Sequence, residues 1–148
     1  MTAPTIHASA VLVGARAVLI RGAAGSGKSS LAFALIQAGG NSLPFTRLVG
    51  DDRVHVEAAH GRVLVRPAET LAGLIEIRGL GIRRLPFEPV AAVGLVVDLG
   101  AADSERLPPP ASAVTEVAGI PLPRLAVAPG ADALPMLFAA LRTLESGQ

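Results

Sequence analysis

Hydrophobic residues in this chain gather into short runs, most of them strand-sized, and only two stretches repeat at helical spacing. Residues 7–13 and 16–21 are apolar runs separated by Gly14 and Ala15, the pattern of a β-hairpin. A helix is predicted over 28–38, stopping where Gly39 and Gly40 allow a left-handed cap. Residues 45–50 return as a strand that ends on Asp51 and Asp52. In 53–57, Val54 and Val56 alternate with polar partners, and 62–66 repeats the alternation with Val63 and Val65 after His60 and Gly61. A second hairpin with one wet face is expected there, His55 and His60 being surface residues. Period-two spacing in 74–79 puts Ile75 and Ile77 on one face and Glu76 and Arg78 on the other, where acid and base are expected to pair. Residues 83–89, with Pro86 and Pro89, read as a linker, and 90–99 as a Val-rich strand buried on both faces. A polar, proline-rich loop carrying Arg106 is expected over 103–110, and an edge strand broken by prolines over 122–129. The chain closes on an amphipathic helix over 131–145, with Leu134, Leu137, Phe138, Leu141 and Leu144 at helical spacing.

One helix early, one late and about eight short strands between them do not make the alternating pattern of a doubly wound sheet. The fold class expected is α/β with a mixed, largely antiparallel sheet, and the 148 residues are expected to form a single domain, 1–148. Composition adjusts this picture in three ways. A 51% hydrophobic fraction and a mean hydropathy of +0.53 suggest a membrane, yet no uncharged apolar run approaches the roughly 18–20 residues of a spanning helix. The apolar excess is therefore assigned to a core and to surface buried between subunits, so a homo-oligomer with no membrane partner is expected. A net charge of +1, no Trp or Tyr and four Phe leave neither a basic stripe nor a stacking platform for nucleic acid. The absence of Cys excludes disulfides and thiolate metal sites, and residues 1–9 lack the pattern of a signal peptide, so the cytoplasm is the expected location.

The chemistry concentrates in Gly22-Ala23-Ala24-Gly25-Ser26-Gly27-Lys28-Ser29, followed by Ser30, between the second predicted strand and the first predicted helix. A phosphate loop needs that order: a strand to deliver it, glycines that let successive N–H groups converge on oxygens, and a helix N-terminus facing the anion. Lys28 is the only lysine, the other twelve basic residues being Arg. A compact ammonium reaches β- and γ-phosphates where a planar guanidinium fork would not fit. Asp51 and Asp52, at the end of a strand beside this loop, are placed to hold a metal-bound water or to accept a proton. Glu76 and Arg78 admit two readings, a surface ion pair or a carboxylate for Mg²⁺ with a guanidinium for phosphate.

Together these segments resemble the HPr kinase/phosphorylase family, whose members phosphorylate and dephosphorylate a serine of the HPr phosphocarrier of the phosphotransferase system. The resemblance is carried by His7 ahead of the first hairpin, the loop GAAGSGKS, the acid pair in Leu48-Val49-Gly50-Asp51-Asp52, and the segment from Leu74 through Glu76, Arg78 and Gly81 to Ile82. It implies a P-loop kinase core in a short form made of the C-terminal catalytic domain. ATP would be held by Lys28 and the loop amides, and Mg²⁺ by Ser29 and Glu76. One of Asp51 and Asp52 would be the general base, the family pattern favouring Asp52. His7 would support the acid cluster, and Arg106, in Glu105-Arg106-Leu107, resembles the family's loop arginine. An HPr-like phosphocarrier is the implied partner, and control of carbon and nitrogen metabolism the implied role. Two positions depart from the pattern: Ser30 replaces an acidic residue, and Ala128-Pro129-Gly130-Ala131-Asp132 stands where an arginine-containing segment is usual. The resemblance therefore carries kinase activity further than phosphorolysis or the family's hexamer. A small-molecule kinase and a nucleotide-binding regulatory module without transfer are the alternatives on the same loop.

Overall fold

The computed structural model describes residues 4–143 of the chain. Ten strands and two α-helices follow in the order β1 (Thr5–Val13), β2 (Arg16–Arg21), α1 (Lys28–Gln37), β3 (Thr46–Gly50), β4 (Arg53–Ala59), β5 (Arg62–Pro67), β6 (Leu74–Ile77), β7 (Gly81–Arg84), β8 (Ala91–Leu99), β9 (Val114–Val117), β10 (Ile120–Val127) and α2 (Ala133–Arg142). Eight strands make one sheet in the order β2-β1-β4-β5-β8-β10-β9, with β3 also on β1. Strand β2 pairs again with β8, in parallel, so β2, β1, β4, β5 and β8 close into a ring. Only β2–β8 and β8–β10 are parallel, which makes the sheet mixed and largely antiparallel, as expected from the sequence.

Ring closure explains why β2 carries no polar alternation. Ala17 and Leu19 point into a core inside the ring with Ala8, Ala10, Val54, Val63 and Val65, while Val18 and Ile20 point outward into a second core. That second core is roofed by the helices, through Leu31, Ala32 and Leu35 of α1 and Ala133 and Leu137 of α2. The alternation in β4 and β5 buries Val54, Val63 and Val65 inside the ring, and the tight turn between the strands carries His60 and Gly61 at positive φ. In α1 the chain leaves the helix at Ala38, and Gly40 takes the left-handed conformation. Helix α2 is capped by Asp132, whose carboxylate accepts the Leu134 N–H at 3.1 Å. Leu144 and Glu145 of the predicted helix lie outside the described residues, as do residues 1–3.

Three expectations are corrected. Residues 83–89 are not wholly linker: Gly81–Arg84 is β7, paired with β6 in a separate two-stranded sheet. Its four residues are all exposed, so no apolar alternation marks it, and Gly79 forms the turn, with the Leu80 N–H on the Ile77 carbonyl at 2.9 Å. This turn takes Arg78 off the strand, and the expected Glu76–Arg78 pair does not form among the described residues. Finally, β10 begins two residues earlier than expected and has two partner strands, β9 for Ile120–Pro123 and β8 for Arg124–Val127. It lies between β8 and β9, with Pro121 and Pro123 ahead of Arg124, where pairing to β8 begins, so neither proline interrupts that ladder. Strand β9 was hidden because its hairpin turns on Ala118 and Gly119, Ala118 adopting φ 51° without the Asn or Asp that usually signals such a turn.

An ion cluster ties together the three neighbouring strands β2, β8 and β10. Asp98 accepts from Arg21 Nε at 2.7 Å and from Arg124 Nε at 2.6 Å, and Arg124 also donates to Asp103 at 2.8 Å and to the Ser112 carbonyl at 2.9 Å. Burial pushes the Asp98 carboxyl up, but the hydrogen bonds and charges of Arg21 and Arg124 together outweigh it and hold the group below its ordinary value of 3.8. A depressed native value stabilises the fold above 3.8 and loses that contribution as pH falls through the native value. Asp98→Asn is expected to cost about 2 kcal/mol at pH 7 and to flatten the fall in melting temperature below pH 4 relative to the unmodified chain. Parallel acid-limb melting curves for the two proteins would show that Asp98 does not link stability to pH.

Candidate active site

Strand β2 ends at Arg21 and delivers Gly22 against Leu99 of β8: a Cβ at Gly22 would lie 3.2 Å from the Leu99 Cβ and 2.5 Å from Ser26 Oγ. A side chain there would force Ser26 aside and press on Leu99. Gly25 and Gly27 adopt φ 81° and 100°, and a Cβ on either would meet nothing within 4 Å, so the loop opens onto free space. No side chain caps α1 at Gly27. Its first-turn N–H groups face the loop with the positive end of the helix dipole. Lys28 is 7% exposed and its ammonium donates to the Gly22 and Ala23 carbonyls at 2.8 and 3.1 Å. Ser26 Oγ is buried without a partner. An unpartnered hydroxyl, open glycines and a lysine held on carbonyls suit a cradle built for phosphate oxygens.

The acid pair occupies the point where β1 passes from β3 to β4, and the two carboxylates face different surroundings. Asp51 is 4% exposed. It accepts from Ser9 Oγ at 2.6 Å, from Ser29 Oγ at 2.7 Å and from the Glu76 N–H at 3.1 Å. No described arginine, lysine or histidine pairs with it. Asp52 has φ 70°, a conformation that Asp tolerates better than most residues. That turn carries its side chain outward, 59% exposed, where His7 Nε2 donates to Oδ1 at 2.8 Å. A buried carboxylate that lacks a cation and touches the P-loop hydroxyl suits a divalent ion. An exposed carboxylate aligned by an imidazole suits proton transfer.

The β6–β7 hairpin forms the opposite wall. Ile75 is buried in the core beneath α1, the Glu76 N–H fixes the strand to Asp51, and the Glu76 carboxylate is left exposed. His7, Lys28, Ser29, Ser30, Asp51, Asp52, Glu76 and Arg78 thus line one cavity of about 420 Å³, with Ala24, Gly25 and Gly27 at the loop and Leu71, Leu74 and Ile82 on the apolar side. Arg106 is exposed on the stretch after β8 and lies outside the cavity wall. No group of three or more His, Cys, Asp or Glu gathers to bind a metal among the described residues. Mg²⁺ needs no such cage, because it keeps waters and takes phosphate oxygens beside one or two carboxylates. The oxygen donors Ser29, Asp51 and Glu76 fit it. Ser9 escapes sequence reasoning, the available signal being a hydroxyl in the apolar run that follows His7.

The family model for the HPr Serine kinase C-terminal domain matches residues 2–86. This chain belongs to that family. The matched segment holds His7, the phosphate loop, both acids, Glu76 and Arg78, whereas Arg106 lies beyond it. The HPr kinase/phosphorylase of Streptococcus thermophilus is 43% identical over 79 residues, covering 53% of this chain and 24% of that protein. That of Halalkalibacterium halodurans is 35% identical over 115 residues, covering 71% of this chain and 35% of that protein. The chain thus spans roughly a quarter to a third of these curated relatives. Among solved structures, the Hpr(Ser) kinase/phosphatase from Coxiella burnetii superposes with a TM-score of 0.73 at 26% identity, covering 93% of each chain. The likeness to that solved structure therefore extends over most of this chain, beyond the segment that the family model matches.

Proposed function

We propose that this chain is an ATP-dependent protein-serine kinase acting on an HPr-like phosphocarrier. The observation that carries the reading is the division of labour between adjacent acids, Asp51 buried against the P-loop hydroxyl and Asp52 exposed against His7. The loop amides and Lys28 bind the nucleotide phosphates, the ammonium turning from the Gly22 and Ala23 carbonyls towards the β- and γ-oxygens. Mg²⁺, when bound with ATP, supplies charge neutralisation between those phosphates, and Ser29, Asp51 and Glu76 are the residues that would hold it. Asp52 takes the proton of the substrate serine as its oxygen bonds to the γ-phosphorus and the bond to ADP breaks. His7 keeps Asp52 aimed into the cavity, and Arg78 offers a guanidinium to phosphate oxygens. In the reverse sense, inorganic phosphate bonds to the phosphorus of phosphoserine, the bond to the serine oxygen breaks, pyrophosphate leaves, and the same carboxyl in its protonated form gives its proton to the serine oxygen, which is phosphorolysis.

The test is direct. HPr incubated with the protein, ATP and Mg²⁺ is expected to gain one phosphoryl group in its intact mass, and its serine-to-alanine variant none. If HPr gains no mass while ATP is consumed with a small-molecule pool, the substrate assignment fails and the same site serves a metabolite.

A further inference from the structure

Ser9 lies in the middle of β1, fully buried, and belongs to none of the motifs above. The register that pairs Ala10 with Gly50 and His7 with Arg53 places Ser9 opposite Asp51 and Ala8 opposite Asp52. An antiparallel ladder would run on through these residues, but the left-handed Asp52 interrupts it. The Ala8 N–H still reaches the Asp52 carbonyl at 3.1 Å, whereas the Asp52 N–H turns to Ser9 Oγ at 3.3 Å. The hydroxyl then gives its own proton to Asp51 Oδ1 at 2.6 Å. One side chain thereby replaces the acceptor that the broken ladder takes from Asp52 and fixes the orientation of Asp51.

We infer that Ser9 is a positioning residue for both acids: it turns the Asp51 carboxylate towards Ser29 and holds the backbone kink that presents Asp52 to His7. The inference rests on the reading of Asp51 as a metal-side carboxylate. Ser9 touches neither the loop nor the open face of the cavity, so it acts only through the two aspartates. What an alanine removes is a donor to one acid and an acceptor for the peptide of the other. Partners that orient metal ligands in this way carry about 10- to 100-fold in metal affinity.

The experiment titrates a fluorescent ADP analogue into the full chain and into Ser9→Ala, with Mg²⁺ and again in EDTA, after thermal melting of both proteins without nucleotide. The unmodified chain is expected to bind more tightly with Mg²⁺, and Ser9→Ala to lose about tenfold or more of that gain while its affinity in EDTA stays unchanged. A variant that keeps the whole Mg²⁺ gain overturns the inference. So does a variant weakened equally in both conditions, which would make Ser9 a support of the fold alone. Absence of any Mg²⁺ gain in the unmodified chain overturns the reading of Asp51 itself, and the inference with it.

Discussion

Asp52→Asn is expected to lower the rate of phosphoryl transfer by roughly 10²- to 10⁴-fold, the usual contribution of a positioned general base, while Mg²⁺-dependent nucleotide binding stays intact. The asparagine oxygen can still accept from His7 Nε2, so the arrangement seen at 2.8 Å is kept and only the capacity to take a proton is lost. Asp51→Asn is expected to behave differently. Asp51 is buried and its carboxylate accepts from two hydroxyls and a backbone N–H, so an amide there misaligns Ser29 and β6 and removes the negative charge beside the phosphate loop. Nucleotide binding in that variant should lose its response to Mg²⁺. Single-turnover transfer to HPr, measured beside nucleotide titrations with and without Mg²⁺, separates the two phenotypes. A nearly normal transfer rate in Asp52→Asn would assign proton transfer elsewhere.

Lys28→Met is expected to remove transfer by about 10³-fold or more, since it takes away a preorganised cation from the migrating phosphoryl group. Methionine keeps most of the length of the side chain, so the loss is one of charge and hydrogen bonding. Lys28→Arg is not expected to restore activity. The residue is only 7% exposed and its ammonium sits between the Gly22 and Ala23 carbonyls, a contact that a planar guanidinium fork does not reproduce as a compact point charge does. Nucleotide titration and transfer assays on both variants provide the check, and recovery of the rate by arginine would refute the point-charge role.

The site was legible where chemistry is written in local order. The phosphate loop announces itself because its glycines, lysine and serine are contiguous, and the acids because they end an apolar strand beside it. Their separate surroundings were not legible, since they depend on the φ of Asp52 and on Ser9, 42 residues from Asp51 in sequence. The ion cluster at Asp98 was hidden for the same reason: Arg21, Asp103 and Arg124 meet it only once β2, β8 and β10 lie side by side. Strands with one wet face could be read from alternation, as Val63 and Val65 show. Strand β7, exposed throughout, and β9, with one buried residue, gave no such pattern.

The closed ring of strands also sets an order of assembly. Arg21, the last residue before the phosphate loop, finds its partner Asp98 across 77 residues of sequence, and the parallel ladder between β2 and β8 depends on the same distant encounter. Contacts so far apart in the chain are late and slow to form, because the closure entropy is spent before they return anything. During synthesis the strand that delivers the loop therefore waits for β8 to be made before it has neighbours on both sides. Nucleotide binding is therefore expected only from ring closure onward, and the appearance of ADP binding during refolding would time that event.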